Sequence, residues 1–435
     1  MSFQTSRRDF IKSAALAGAG LLTVEEMAWA QAVKGPNEQL NFACIGIDGK
    51  GSSDTADAAR FGNIVAICDI DEDRLAKAGT KYASAKKYTD FRKMLEEVGG
   101  SIDAVTVSTA DHTHAVAAAM AMRMGKHCFC QKPLTRTLFE ARTLGEIARE
   151  KKLATQMGNQ GTASNSLRKA AAYIRAGNLG KVREVHCWTD RPIWPQGGAR
   201  PAAEPVPAKV QWDLWLGPAP FREYAKGYHP FAWRGFWDFG TGALGDMACH
   251  TVNMPYMALD LKFPTSVQAQ TSGHNRDSYP QWSIIKFEFP ELDGRAPLSM
   301  TWYDGGKLPS PDLIGGEQPK KSGIIVAGDK GTMYAAGDYA ENGYKLLGGA
   351  VDAEVEFEKP PGHFEEWIRA IRGGPAARSN FPDYAGPLTE TILLGNLAVW
   401  SDGKKIEWDA KNLRATNAPE VAKIIRSDYR PGYIL

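Results

Sequence analysis

The sequence predicts a two-domain α/β protein: a doubly wound parallel sheet over residues 38–160, then an α/β domain over residues 161–435 around an open, mainly antiparallel sheet. Three observations predict it. At 435 residues the chain exceeds one ordinary domain and can bury two cores. After Leu40, short runs that are apolar throughout alternate with amphipathic helical patterns, as a parallel sheet covered on both faces requires. Beyond residue 160 the strand-like runs change to alternating apolar and polar residues parted by turns.

The elements follow in order. Residues 1–30 read as an export signal of the twin-arginine type. Arg7 and Arg8 precede an apolar run from Ala14 to Val24, and Ala28-Trp29-Ala30 makes a small-x-small cleavage site before Gln31. The run is shorter than the ~20 residues that span a bilayer. The expected destination is periplasmic. In the first domain "LNFACIGI", "NIVAICDI", "IDAVTVST", "HCFCQKPL" and "LATQMGN" are strands; "GKGSSDTADAARF", "DEDRLAKAGTKYA", "DFRKMLEEV", "THAVAAAMAMRMG" and "TLFEARTLGEIAREKK" are the helices between them. In the second, the helix "NSLRKAAAYIRAGNLG" leads into strands at "KVREVHCWTD", "TSVQAQTSG", "WSIIKFEFP", "LSMTWYDGG" and "GIIVAGDKGTMYAA". Helices with apolar faces follow at "HFEEWIRAIRGG" and "LTETILLGNLAVWSDG", and "WPQGGARPAAEPVPA" reads as a long loop.

Charge and cysteine content narrow the function. A formal net charge of +2 supplies no basic field for nucleic acid. The six cysteines lie mostly in apolar strand-like runs and read as small core residues rather than a disulfide framework. His112 and His114 have no companion set at metal-ligand spacing, so no metal is expected.

The first strand runs into Gly46-Ile47-Asp48-Gly49-Lys50-Gly51 at the start of the first helix. This is the place of a dinucleotide-binding turn, whose glycines let a pyrophosphate approach a helix N-terminus. Asp48 stands where that pattern has its second glycine. Asp69 ends the second strand about 20 residues on, where a carboxylate accepts the adenosine ribose hydroxyls; this favours NAD over NADP, with Arg74 near enough to blur the preference. Farther along, Asp246 and His250 are four apart, on one face if the segment is helical. They suit a base held by a carboxylate, or two metal ligands, and the bland alternative is a capping aspartate followed by a core histidine. An aromatic cluster from Trp188 to Trp237 is interleaved with Arg191, His229 and Arg234; much of it is core, and Tyr228, His229 and Arg234 are the substrate candidates because flat rings and polar groups together hold sugars.

The stretches "IGIDGKGSSD", "AICDID", "YTDFRKML", "IDAVTVSTADHTHA", "HCFCQKPLTRT", "WDLWLGPAP" and "FWDFGTGALGDMACH" together resemble the glucose-fructose oxidoreductase/inositol dehydrogenase (Gfo/Idh/MocA) family over nearly everything after residue 30. The resemblance implies a Rossmann domain binding NAD, held tightly. Gly46, Asp48, Gly49, Lys50, Gly51, Asp69, Ser108, His114 and Lys132 would contact the cofactor, and Lys132, Asp246 and His250 would be catalytic. The family's Glu-Lys-Pro appears here as Gln131-Lys132-Pro133, which removes a negative charge beside Lys132. The implied activity is hydride transfer between a carbohydrate hydroxyl, such as that at C3 of a sugar or glycoside, and NAD. One alternative is a glycoside hydrolase that uses NAD transiently. Another is a non-catalytic sugar-binding protein with a degenerate nucleotide site, suggested by Asp48 and Gln131. A homo-oligomer, dimer or tetramer, is expected from the open sheet.

Overall fold

The computed structural model describes residues 38–435, and the signal-like segment lies outside the described residues. Six strands form the first sheet: β1 (Leu40–Ile45), β2 (Gly62–Cys68), β3 (Lys86–Tyr88), β4 (Ala104–Val107), β5 (His127–Cys130) and β6 (Thr155–Met157). Their order is β3-β2-β1-β4-β5-β6 and every pair is parallel. The order reverses between β1 and β4, which opens a crevice at their carboxyl ends.

Five helices connect these strands: α1 (Lys50–Ala59), α2 (Glu72–Lys81), α3 (Phe91–Val98), α4 (Asp111–Arg123) and α5 (Leu138–Glu150). Their N-termini differ in a way that matters. Asp71 caps α2 and Asp90 caps α3 through backbone N–H groups, and Thr137 with Glu140 forms a capping box on α5. The two helices that start at the crevice, α1 and α4, have no side-chain cap. Backbone carbonyls take the amides of Gly51, Ser52, His112 and Thr113, which leaves the first amide of each helix, at Lys50 and Asp111, for whatever occupies the crevice.

After α6 (Asn165–Arg175), nine strands form the second sheet: β7 (Val182–Trp188), β8 (Ser266–Thr271), β9 (Ser283–Phe289), β10 (Leu298–Tyr303), β11 (Gly323–Gly328), β12 (Gly331–Ala336), β13 (Lys345–Leu347), β14 (Ile406–Asp409) and β15 (Arg414–Ala415). The order is β13-β12-β11-β7-β10-β9-β8-β14-β15, antiparallel except where β7 meets β10. On β9 the alternation sends Ile285, Phe287 and Phe289 into the core and leaves Lys286 exposed. The helices of this half are α7 (Trp212–Leu216), α8 (Gly242–Thr251), α9 (Asn253–Leu259), α10 (His363–Ile371), α11 (Gly386–Trp400) and α12 (Ala422–Ile425). In α11, Gly395 lies so close to Leu244 of α8 and to Phe287 of β9 that a side chain there would collide with them. That contact fixes α8 over the sheet.

One helix crosses back. α10 packs on the first sheet, with Trp367 against Phe42 and Phe129 and its indole donating to the Ala154 carbonyl at 3.0 Å. Phe364, Trp367, Ile368 and Ile371 share a core with Leu40, Phe42 and Ile67. All six cysteines are buried free thiols. Among the described residues no helix is long and apolar enough to cross a membrane.

Candidate active site

A cavity of about 560 Å³ runs from the crevice of the first sheet to His250, near the C-terminal end of α8, and to the loops around Arg234 and Tyr339. Gly46 turns β1 toward α1 with φ +75°, and any side chain there would strike the Ser108 carbonyl. Gly51 lies under the same turn, where a Cβ would sit 2.0 Å from the Gly46 oxygen. It therefore packs helix on strand instead of facing the cavity, a correction to its expected contact with the cofactor. Asp48, Gly49, Lys50 and Ser108 line the cavity. Asp48 has an ordinary φ, so this turn needs no glycine there, and its carboxylate leans to Arg74 at 3.4 Å.

Beneath this loop sits a carboxylate that sequence reasoning missed. Asp54 of α1 is 1% exposed and accepts from Ser108 Oγ at 2.7 Å and Gln131 Nε2 at 2.8 Å, with Lys50 Nζ 2.9 Å away. The amide that replaces the expected glutamate is thus a donor, and the negative charge resides on α1. No motif announced this partnership, because the two residues are 77 apart in sequence.

At the other end, Asp69 accepts from the Ile47 and Asp71 N–H groups, each at 3.1 Å. Burial raises its pKa, and those two N–H groups oppose the rise. The long loop of the second domain is stitched over this end: Gln211 N donates to the Ile70 carbonyl at 2.9 Å and Glu72 N to the Lys209 carbonyl at 3.0 Å. His229 lines the cavity here, 3.7 Å from Asp71. Its expected place with the substrate groups is corrected to the Asp69 side of the cavity.

The chemistry-bearing groups gather at the end of β5. Lys132 Nζ donates to the Asp246 carboxylate and to the Asp246 backbone carbonyl, both at 2.8 Å. Arg234 Nε reaches the same carboxylate oxygen at 3.1 Å, with its guanidinium 4.2 Å over the Trp233 ring. Burial would raise the Asp246 pKa, but Lys132 and Arg234 outweigh it and hold the carboxyl down at about 2. Asp246 makes no hydrogen bond to His250, so the expectation that it orients the imidazole is overturned: two cations use its oxygen. His250 Nδ1 is buried without a partner among the described residues, which leaves Nε2 to face the cavity the residue lines. Burial and then the Lys132 charge push the His250 pKa well below its ordinary 6.5.

Two further expectations are corrected. His114 does not line the cavity; its ring nitrogens face the Pro133 and Thr109 carbonyls at 2.9 and 3.0 Å, so it holds the loops that carry Lys132 and Ser108. Tyr228 is 1% exposed and belongs to the aromatic core with Trp212, Phe236 and Phe239. Tyr339, which no motif flagged because it sits in a loop after β12, lines the cavity with its ring centroid 4.6 Å from that of His250. Asp111, at the start of α4, also lines it, accepting from Thr241 Oγ1 at 2.8 Å.

A family model described as the NAD-binding Rossmann fold of an oxidoreductase family matches residues 40–159, and one described as its C-terminal alpha/beta domain matches residues 181–434. The chain belongs to the Gfo/Idh/MocA oxidoreductase family. Among its curated relatives in this family, levoglucosan dehydrogenase of Pseudarthrobacter phenanthrenivorans is 24% identical over 188 residues, 43% of this chain and 40% of that protein. A glycosyl hydrolase family 109 protein of Solibacter usitatus is 31% identical over 154 residues, 32% of this chain and 35% of its own. The matched region thus spans under half the length of these relatives. The fold is also that of the WlbA dehydrogenase of Bordetella pertussis, solved with NADH and UDP-GlcNAcA, at a TM-score of 0.61 and 18% identity, covering 86% of this chain and 99% of that one. The Gfo/Idh/MocA assignment agrees with the site: two uncapped helix N-termini, a glycine turn and a carboxylate ending β2 fit a dinucleotide.

Proposed function

We propose that the protein is a periplasmic oxidoreductase that transfers hydride between a hydroxyl of a sugar or glycoside, such as that at C3, and an NAD held tightly through turnover. The observation that carries this reading is the single Asp246 carboxylate, itself behind the cavity wall, gripping Lys132 and Arg234, which together with His250 line the cavity that ends at Asp69. NAD, when bound, supplies the hydride acceptor. The depressed pKa of His250 keeps its imidazole uncharged at neutral pH, free to take the hydroxyl proton at Nε2. Lys132, fixed by two bonds to Asp246, offers its remaining N–H to the oxygen on which negative charge develops. A weak base has a strong conjugate acid, so the same imidazole returns its proton readily when hydride comes back to the sugar.

That reversibility, with the stretch similar to a glycosyl hydrolase family 109 protein, supports a second reading. In it, oxidation acidifies the neighbouring C–H, the aglycone is eliminated, water adds and the hydride returns, so that net hydrolysis consumes no NAD. Support for export comes from Arg7-Arg8 and the apolar run after them, since a folded protein leaving the cytoplasm carries its cofactor along. The open sheet suits self-association as a dimer or tetramer. The test is to denature desalted protein, quantify released nucleotide, and follow turnover of glycosides with and without added NAD. Expected are bound NAD(H) and turnover without supplement; an empty protein that needs a continuous NAD supply would overturn tight retention.

A further inference from the structure

The cavity has walls at its Asp69 end that the proposed chemistry leaves unused. Asp69 N bonds the Tyr88 carbonyl at 3.1 Å, so the residues just after β3, Thr89 to Phe91, lie directly beyond the carboxylate that would take the ribose hydroxyls. An adenine joined to that ribose has to fall among them. The opposite wall there is Tyr433, more than 340 residues away in sequence, which lines the same cavity while only 7% exposed.

Tyr433 is fastened from both domains. Its ring lies 6.5 Å from that of Phe91, tilted by 45°, and the Arg92 guanidinium sits 4.5 Å over it. Arg92 is itself gripped by Asp90 and donates to the Gly432 carbonyl at 3.3 Å. From the second domain, Arg430 N donates to the Pro218 carbonyl at 3.1 Å, and the Arg430 side chain reaches Asp213 of α7 at 2.6 Å. Leu214 and Trp215, adjacent to Asp213, line the cavity as well. An aromatic ring fixed by a cation on one side and apolar packing on another is a ready surface for a purine, since every base offers a π-face for stacking.

We propose that Tyr433 is the adenine-contacting residue of the cofactor cleft and that Arg430 to Tyr433 forms a latch, bridging the two domains, that retains the nucleotide. This rests on the NAD reading above and supplies its physical basis for slow release. Two fragments separate the ends of the cofactor: ADP-ribose carries the adenine, and nicotinamide mononucleotide does not.

The experiment compares wild type with Tyr433→Ala, Tyr433→Phe and Arg430→Ala, measuring fragment affinities by calorimetry and the rate of NAD loss from loaded protein on dialysis. Tyr433→Ala is expected to weaken ADP-ribose about tenfold, as loss of one base-stacking ring does, to hasten NAD loss similarly, and to leave the mononucleotide unchanged. Tyr433→Phe keeps the ring and should behave as wild type. Arg430→Ala, at a residue that is not itself part of the cavity lining, should speed NAD loss several-fold. If Tyr433→Ala does not fold, Tyr433→Leu preserves the packing on Phe91 and is expected to show the same selective loss. Fragment affinities equal to wild type in the alanine or leucine variant, even with lowered thermal stability, would overturn the latch and make Tyr433 a packing residue. Wild-type protein that binds neither NAD nor ADP-ribose would overturn the NAD reading and the latch together.

Discussion

Replacing Asp246 by asparagine keeps the shape of the side chain and removes the charge on which two cations converge. The carboxyl is held at about 2 against an ordinary 3.8, a difference worth ~2.5 kcal/mol of folding stability at neutral pH. The sign follows from the depressed value: the contribution is complete above about pH 4 and is lost as pH falls through about 2. Because burial acts in the opposite direction, the attraction of Lys132 and Arg234 exceeds that net figure, and at side-chain exposures of 15% and 10% the Lys132–Asp246 pair is shielded from salt. Asp246→Asn should therefore lower the urea-unfolding free energy at pH 7 by ~2–3 kcal/mol. Lys132→Met should cost a comparable amount, because it leaves the carboxylate with one cation. The double variant should cost less than the sum by ~1–2 kcal/mol, the signature of two groups in direct contact. Turnover should fall on the order of 10²-fold in Asp246→Asn, through a misplaced Lys132. A loss below ~0.5 kcal/mol with strict additivity in the cycle would refute the argument, for it would mean that Asp246 holds neither cation.

Three other outcomes are expected. The acidic limb of kcat/KM should lie well below pH 6.5, since burial and Lys132 keep His250 neutral down to that range, and His250→Ala should abolish turnover while nucleotide content stays near that of wild type. Asp69→Ala should weaken NAD and relax its preference over NADP, read by titrating both nucleotides against stripped protein, because the ribose hydroxyls lose their acceptor. Burial pushes His112 down to about 4; its unfolded form binds the extra proton as pH falls through 6.5, so the wild type should lose ~1.5 kcal/mol from this residue alone between pH 6.5 and 5. His112→Asn should flatten that part of the stability profile in urea titrations at the two pH values.

Much of the fold was legible because apolar patterning reports burial directly. The βα alternation carries strong local signals, whereas "GIIVAGDKGTMYAA", read as one strand run, is two antiparallel strands that turn at Asp329-Lys330. Strand β3 carries no such signal: Lys86-Lys87-Tyr88 is a polar three-residue strand at the sheet edge, where one neighbour suffices and nothing apolar need be hidden. Strands β13, β14 and β15 are short and peripheral for the same reason. Within the site, Lys132, Asp246 and Asp69 stood out because each belongs to a spaced motif or ends a strand, and Arg234 because it is interleaved with aromatic residues. Asp54, Tyr339 and Tyr433 come from separate stretches that only the tertiary fold brings together. Tyr228 misled because an aromatic beside polar residues reads alike whether it stacks on a sugar or on Trp212 and Phe236.

The return of α10 to the first sheet makes the order of synthesis matter. A ribosome that has delivered residues 38–160 has released every strand of the nucleotide domain, yet Phe42 and Phe129 still lack the Trp367 that covers them. Until the last fifth of the chain emerges, that face is an open apolar surface, and contacts this distant in sequence close slowly. A fragment cut at residue 160 should be sticky and poorly soluble, and chaperone capture during translation should be the normal course. Quality control is thereby built into the connectivity: a prematurely terminated chain leaves the nucleotide domain half-clad, and a finished one seals its core and its cofactor cleft with residues from the same closing stretch.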